Sequence, residues 1–234
     1  RLGDADVAIR DWRLKRLPDG RFAIRAQTKD FALDLILRPR QPPLLQGEGG
    51  YSRKGARPEE ASHYYSMPHM AVSGRVVRGG RARTVRGEAW LDREWSSNYL
   101  SRGAVGWDWT GLNLDDGSAL MAFRIRGPKG RTMWAGGSLR HADGRIERFA
   151  PADVRFRPLA FWTSRRTGAR YPVAQELSVR LRGGVRRFRL QPLFAAQELD
   201  ARASGLPVYW EGAVRTNGGR GYLELTGYAA KLAM

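Results

Sequence analysis

Residues 87–109, GEAWLDREWSSNYLSRGAVGWDW, are the most informative stretch of the sequence. We expect them to contain the seam, that is, the junction between two copies of one structural unit. Side chains of a half-buried strand alternate between faces, so we expect Trp107 and Trp109 on one face and Asp108 on the other. A carboxyl group bounded by indoles is either a functional acid or a structural hydrogen-bond acceptor, and spacing alone favours the structural role. The other aromatic and acidic residues of the stretch are Glu88, Trp90, Asp92, Glu94 and Trp95.

Composition limits the classes of function. The chain has 234 residues, enough for one large domain or two small ones. The absence of cysteine excludes disulfides and thiolate metal ligands. The net charge of +18 invites a nucleic-acid partner. However, the arginines are spread singly, and neither a helix-turn-helix pattern nor an aromatic RNA-binding strand is present. We therefore predict no nucleic-acid partner, while peripheral contact with a membrane remains open.

The sequence contains no targeting or membrane-spanning segment. No window approaches the apolar length needed to cross a bilayer. The sequence opens on Arg1 without a charged-then-apolar leader, so any export signal lies outside it.

Short alternating runs separated by turn residues predict an all-β protein. Residues 7–14 and 21–26 are predicted strands joined by a turn at Pro18-Asp19-Gly20. Residues 64–77 and 83–91 predict a long hairpin turning at Gly79-Gly80. Residues 107–114 and 119–126 predict another around Asp115-Asp116-Gly117, and only 151–154 and 229–234 are expected to hold a helical turn.

The loop at residues 46–60 is long for a hairpin connection. It is rich in glycine, serine and charged residues. Its length predicts either an ordered functional loop or a mobile lid.

An internal repeat predicts two domains, residues 1–98 and 99–234, with their boundary between Ser96 and Val105. The triplet Ala5-Asp6-Val7 recurs at residues 152–154, and residues 87–91 resemble residues 221–225. The second copy opens with two hairpins, residues 107–149, that have no equivalent in the first. We therefore expect the first unit to be N-terminally incomplete, and to be completed by an upstream segment or a partner chain.

Long motifs covering nearly the whole chain resemble the AttH-like, carotenoid 1,2-hydratase family, whose bacterial members are often labelled predicted secreted hydrolases. This resemblance implies two tandem lipocalin-like antiparallel β-barrels, an apolar ligand of terpenoid, polyene or lipid-like type, no cofactor, and a secreted or periplasmic location. The motifs are QPPLLQGEGGYSRKG (41–55), SHYYSMPHMAVSG (62–74), GEAWLDREWSS (87–97), GWDWTGLNLDDGSALMAFRIR (106–126), YWEGAV (209–214) and GRGYLELTGY (219–228).

The resemblance also implies an active site, with one departure from the family pattern. The family typically reads Asp-His-Glu-Trp where this chain has Arg93 in place of the histidine. Arginine stays charged and cannot shuttle protons, so Arg93 would hold Glu94 or Asp108 ionised, or bind an anionic substrate. The candidate catalytic residues are Asp108, Glu94, Trp95 and Arg93, and the candidate ligand-binding residues are Trp107, Trp109, Trp90, Tyr65 and Trp210.

Two functions from different classes fit these residues, with a basic surface-binding module as a third. One is an acid-assisted hydratase, isomerase or cyclase, in which a buried carboxylic acid protonates carbon and indole faces stabilise positive charge. The other is a non-catalytic lipocalin-type carrier associated with a transporter. A cavity that reaches Asp108 and Glu94, which we expect to face a shared cleft, would favour chemistry, and a purely apolar cavity would favour carriage.

Hydrolases that use serine or zinc are not expected. The chain has no Gly-x-Ser-x-Gly elbow. Its three histidines, His63, His69 and His141, have no spacing suited to a metal, so no metal site is predicted.

Overall fold

The computed structural model describes residues 4–97 and 100–232. Within these ranges the chain forms antiparallel strands and three 3₁₀ turns, and the all-β prediction is confirmed. The turns are Pro128–Gly130, Pro151–Asp153 and Arg202–Ser204. The strands are β1 (Asp6–Ile9), β2 (Trp12–Arg16), β3 (Phe22–Gln27), β4 (Phe31–Arg38), β5 (Leu44–Leu45), β6 (Tyr51–Arg53), β7 (Ala61–Arg78), β8 (Arg81–Trp95), β9 (Gly106–Leu114), β10 (Ala119–Arg126), β11 (Thr132–Arg140), β12 (Ile146–Phe149), β13 (Val154–Thr163), β14 (Arg170–Leu181), β15 (Gly184–Pro192), β16 (Glu198–Asp200), β17 (Val208–Thr216) and β18 (Gly219–Leu225).

The first sheet has the order β1-β2-β3-β4-β7-β5, with β6 and β8 also paired to β7. Its longest hairpin, β7–β8, turns at Gly79 and Gly80 as predicted. Both glycines have positive φ, 53° and 73°, which this kind of tight turn requires and which glycine adopts without steric cost.

The predicted strand at residues 7–14 is wrong, because the structure divides it into β1 and β2. Arg10 has a φ of 53°, so the chain reverses there and Ile9 pairs with Trp12. Arg10 and Asp11 are adjacent polar residues, so the alternation breaks at the turn. The prediction missed this break because the pair contains neither glycine nor proline.

The second sheet has the order β12-β11-β10-β9-β18-β17-β15-β14-β13, with β16 paired to β17. This sheet encloses a core, as strand β14 illustrates. Every second residue of β14 points inward, and Tyr171, Val173, Leu177 and Val179 at these positions are all buried. Strand β13 contacts β10 and β11 at the other end of the sheet order. The sheet therefore curls around one apolar cluster, whose largest members include Phe188 and Trp210.

The chain forms two compact units, and each unit is built from two separate segments of the sequence. The first contains residues 1–43 and 66–92, and the second contains residues 44–65 and 93–234. The segment 44–65 thus packs as part of the second unit. It contains the predicted loop at residues 46–60, within which the structure forms β6 (Tyr51–Arg53). The predicted boundary between residues 98 and 99 lies outside the described residues and stays a prediction.

Candidate functional site

The family motif ends on β8, where Glu94 is held by two residues of the segment 44–65. Lys54 Nζ lies 2.9 Å from Glu94 Oε1, and Ser62 Oγ donates a hydrogen bond of 2.5 Å to the same oxygen. About a third of the Glu94 side chain is exposed (34%). One oxygen of this carboxylate is therefore fixed by a cation and a hydroxyl, while the side chain still reaches water.

Lys54 is the least expected member of this cluster, because its side chain is only 5% exposed. Its ammonium lies 4.1 Å from the ring centroid of Phe123 and 4.8 Å from that of Tyr64, and it donates to Ser52 Oγ at 3.1 Å. Aromatic faces attract a desolvated cation, and the carboxylate of Glu94 compensates its charge. Lys54 is therefore buried with both charge and hydrogen bonds satisfied.

Trp109 completes the cluster through Tyr64. Its indole Nε1 donates to the Tyr64 hydroxyl at 2.9 Å. Arg93 and Trp95, which flank Glu94 on β8, are both exposed. Trp95 stacks on His63 with ring centroids 5.5 Å apart and is 50% exposed. The guanidinium of Arg93 lies 5.9 Å from the Trp95 ring, so Arg93 contacts the tryptophan.

Asp108 lies in a different environment, with no exposed surface. Arg124 Nη2 and Arg126 Nε lie 2.6 Å and 2.8 Å from its two oxygens. The Tyr228 hydroxyl donates to Oδ1 at 2.9 Å, and burial, followed by the nearby Asp108 charge, raises the pKa of Tyr228. Every hydrogen bond that Asp108 makes here is as an acceptor, which is the structural role that spacing alone favoured.

The remaining candidate ligand-binding residues are dispersed. Trp210 is fully buried and donates its Nε1 to the Ala195 carbonyl at 2.7 Å, so it belongs to the core. In the first unit, Trp90 donates to Asp92 at 2.7 Å. Tyr65 is half-buried on β7.

Two cavities among the described residues of the second unit have partly apolar walls and bear on ligand binding. The first has a volume of about 440 Å³, and neither Asp108 nor Glu94 lines it. Its walls are the 47–53 part of the segment 44–65 and the strands β10 to β12. They combine apolar side chains with two arginines, including Met121, Phe123, Trp134, Phe149, Arg53 and Arg148.

Three contacts hold the 47–53 wall of the first cavity in place. Trp134 Nε1 donates to the Arg53 carbonyl at 3.0 Å, and the Arg53 guanidinium lies 4.9 Å from the Trp134 ring. Arg148 Nε donates to the Gly47 carbonyl. Gly47 has a φ of 62°, and a Cβ there would collide with the Tyr51 carbonyl. This glycine permits the close approach of the two segments, and β6 forms part of the wall. An ordered loop or a mobile lid stays a prediction for residues 46–60.

The second cavity has a volume of about 770 Å³ and is lined by Trp107, as well as by Leu206, Val208 and Leu232. Arg166 and Arg202 also line it, but they are paired with Glu198 and Asp200 at 3.2 Å and 2.7 Å. Their charges are therefore already compensated at the surface.

Sequence reasoning missed the residues that hold the two carboxylates. Arg124 could have been found, because counting outward from the turn at residues 115–117 places it directly opposite Asp108, as the structure has it. Lys54 carries no such signal, since it lies in a predicted loop 40 residues before its partner. In the described parts of the chain, no group of three or more metal-ligating side chains occurs, and no helix is long and apolar enough to cross a bilayer.

Comparison with known proteins agrees with this architecture. The AttH-like family model matches residues 2–228. A crystal structure assigned to AttH from Nitrosomonas europaea is 50% identical, with a TM-score of 0.90, over 95% of this chain and 69% of that one. No curated protein matches the sequence.

Two more distant structures share the fold. Kievitone hydratase from Nectria haematococca is 17% identical, with a TM-score of 0.75, over 98% of this chain and 72% of that one. CghA in complex with Sch210972 is 13% identical, with a TM-score of 0.56, over 92% and 67%. At these identities the similarity concerns the fold alone. The family model and the Nitrosomonas structure together establish that the chain belongs to the AttH-like family.

Proposed function

We propose that this protein binds a small, largely apolar molecule with one acidic or polar end, of the terpenoid, polyene or lipid-like class. The observation that carries the proposal is the first cavity of the second unit, with Phe123, Trp134 and Phe149 in its walls. Its volume of about 440 Å³ falls within the range of about 300–1,000 Å³ that is usual for small-molecule sites. Aromatic walls favour a flat or unsaturated ligand.

The polar end of the ligand is expected to meet Arg53 and Arg148. Both guanidiniums line the cavity, and among residues 4–97 and 100–232 neither has a carboxylate within 4.0 Å. An acidic group on the ligand would gain charge-assisted hydrogen bonds from them.

Each cavity has a further charged residue in its lining, Glu48 in the first and Lys231 in the second. The second cavity is larger, but Trp107 is the aromatic residue of its described lining, whereas the first has Tyr51, Phe123, Trp134 and Phe149, so we rank the first higher for a polyene.

Carriage is favoured over hydration. Hydrating an isolated alkene requires a strong acid at the substrate, whereas Asp108 accepts hydrogen bonds from two guanidiniums and lines neither cavity. A secreted or periplasmic carrier that serves a transporter is consistent with this arrangement. One observation favours a catalytic alternative of the hydratase or cyclase type: among residues 4–97 and 100–232, the hydrogen bonds of Glu94 use only Oε1, which leaves Oε2 for acid–base work. Glu94 lines neither cavity, so this alternative requires the substrate to reach β8 from outside them.

Titration with cis-parinaric acid, a fluorescent polyene carboxylate, tests the proposal. We expect micromolar binding, weakened about ten-fold or more in Trp134→Ala because an aromatic wall is lost. The matched control is Leu206→Ala in the second cavity, for which we expect less than about two-fold change.

The opposite ranking of the two variants would contradict the first cavity as the binding site. Mass spectrometry of the recovered ligand separates the two functions. Unchanged ligand supports carriage, and a gain of one water that Glu94→Gln abolishes without weakening binding supports the hydratase alternative.

A further inference from the structure

The outer face of the second sheet carries rows of arginines that the proposed binding function does not use. On β13, Arg155 and Arg157 are exposed, and on β15, Arg187 and Arg189 are exposed. The register aligns Arg155 with Arg187 and Arg157 with Arg189 on either side of β14. Neighbouring strands lie about 4.8 Å apart, so each row sets two guanidiniums across a single intervening strand.

A third row lies on the next two strands. It starts at Gln191 of β15, which pairs with Arg215 of β17, and Arg215 pairs directly with Arg220 of β18. Like charges directly opposite each other destabilise an antiparallel sheet. We define the arginine face as Arg155, Arg157, Arg187, Arg189, Arg215 and Arg220.

The charges of the arginine face are hardly compensated within the chain. Arg157 pairs with Glu176 at 3.1 Å. For the other five, no carboxylate of the described residues lies within 4.0 Å. Glu211 and Glu224 also lie on this side of β17 and β18, four residues from Arg215 and Arg220. Six cations outnumber these carboxylates and Glu176, and the resulting positive field attracts an anionic surface.

An apolar residue lies among these cations at the β14–β15 turn. Val185 is 42% exposed, pairs with Arg180, and lies two residues before Arg187 on the same side of the strand. Basic residues beside exposed apolar ones are typical of surfaces that contact the headgroup region of a bilayer. The outward positions between the arginines of β13 to β15 are Ser178, Glu176 and Gln191. Tyr222, two residues from Arg220 on β18, is partly exposed, so binding to DNA is tested as the competing outcome.

We propose that the arginine face docks the protein on bilayers that contain anionic phospholipids. The guanidiniums contact the headgroup phosphates, and Val185 enters the interfacial layer. This contact is electrostatic and shallow, so it is reversible and sensitive to salt. Docking on a bilayer does not depend on ligand binding in the first cavity, since none of the six arginines lines that cavity.

Co-sedimentation with vesicles tests the proposal, using phosphatidylcholine alone and phosphatidylcholine with about 30% phosphatidylglycerol. We expect binding to the anionic vesicles only, and its loss as salt rises from about 50 to 500 mM. The fourfold variant Arg155→Gln, Arg157→Gln, Arg187→Gln, Arg189→Gln should bind at least about ten-fold more weakly. The pair Arg215→Gln, Arg220→Gln, on different strands, provides a second and milder variant.

The matched control removes the same charge from exposed arginines of the first unit, Arg75, Arg78, Arg81 and Arg83. We expect it to lose less than about two-fold in affinity, because it leaves all six guanidiniums of the arginine face in place. An equal loss in the control would mean that net charge alone drives binding, and would overturn the proposal. So would the absence of sedimentation, or tighter binding to double-stranded DNA than to the anionic vesicles at the same salt.

Discussion

Glu94 and Asp108 are two carboxylates of the second unit, and a comparison of their surroundings separates two uses of an acidic residue. Glu94 keeps a third of its side chain in water and has one cation, Lys54. Asp108 has no exposed surface and is held by Arg124 and Arg126. A partly hydrated carboxylate can lose a partner at small cost, whereas a buried one cannot. The comparison teaches that proximity to tryptophans in the sequence does not distinguish these roles.

The largest effect is expected for Asp108→Asn. Removing the carboxylate charge leaves two nearly buried guanidiniums uncompensated, and breaking such a cluster costs about 3–5 kcal/mol. Urea unfolding followed by circular dichroism measures this free energy. The comparison variant is Glu94→Gln, for which a smaller loss of about 1–3 kcal/mol is expected. It leaves one buried cation, Lys54, without its carboxylate, and the rings of Tyr64 and Phe123 still face that ammonium. Equal losses in the two variants would remove the distinction between the sites.

Tyr228→Phe should have an intermediate effect, because it removes one hydrogen bond to the same carboxylate. Hydrogen bonds to charged groups contribute about 1.5–3 kcal/mol, and we expect the lower end because the ring stays packed under Arg126, 3.8 Å from its guanidinium.

The same variant predicts a pH dependence. Burial and the Asp108 charge raise the pKa of the Tyr228 hydroxyl in the folded protein. Its contribution is therefore complete below the ordinary tyrosine pKa of about 10 and declines as pH rises above it. The difference in unfolding free energy between wild type and Tyr228→Phe should narrow between about pH 9 and 11. A constant difference across this window would contradict the burial of the hydroxyl.

The smallest effect is expected for Trp95→Ala. This tryptophan is half exposed, with His63 stacked on it, so the unfolding free energy should change by less than about 0.5–1 kcal/mol. Affinity for cis-parinaric acid should stay the same, since Trp95 does not line the first cavity. A marked loss of affinity would move the binding site towards the family motif.

The sequence predicted the strands best where turn chemistry is local. The hairpins at Gly79-Gly80 and at residues 115–117 follow from glycine and aspartate in tight turns, and the structure has both. The turn at Arg10 was missed because it contains neither glycine nor proline, although the adjacent polar residues Arg10 and Asp11 interrupt the alternation there. Turn type and alternation depend on residues that are adjacent in the sequence, so both can be predicted from the sequence alone.

The site was predicted less completely because its contacts are distant in sequence. The partner of Glu94 is 40 residues away in a segment that sequence reasoning could call only an ordered loop or a lid. Asp108 and Arg124 are the exception, since a hairpin register connects them. The proposed catalytic and ligand-binding roles of the motif residues stay predictions that the experiments above address.

The division of the chain into interleaved units has a consequence for the order of folding. Residues 44–65 leave the ribosome early, yet they pack with strands made much later, as Gln46 does in accepting a hydrogen bond from Ser138 92 positions on. Pairing of such distant residues raises contact order and slows folding. Lys54 and Tyr64 of the early segment therefore stay uncovered until β10 and β11 are synthesised. A nascent chain in that state exposes an aromatic segment of the kind that chaperones bind.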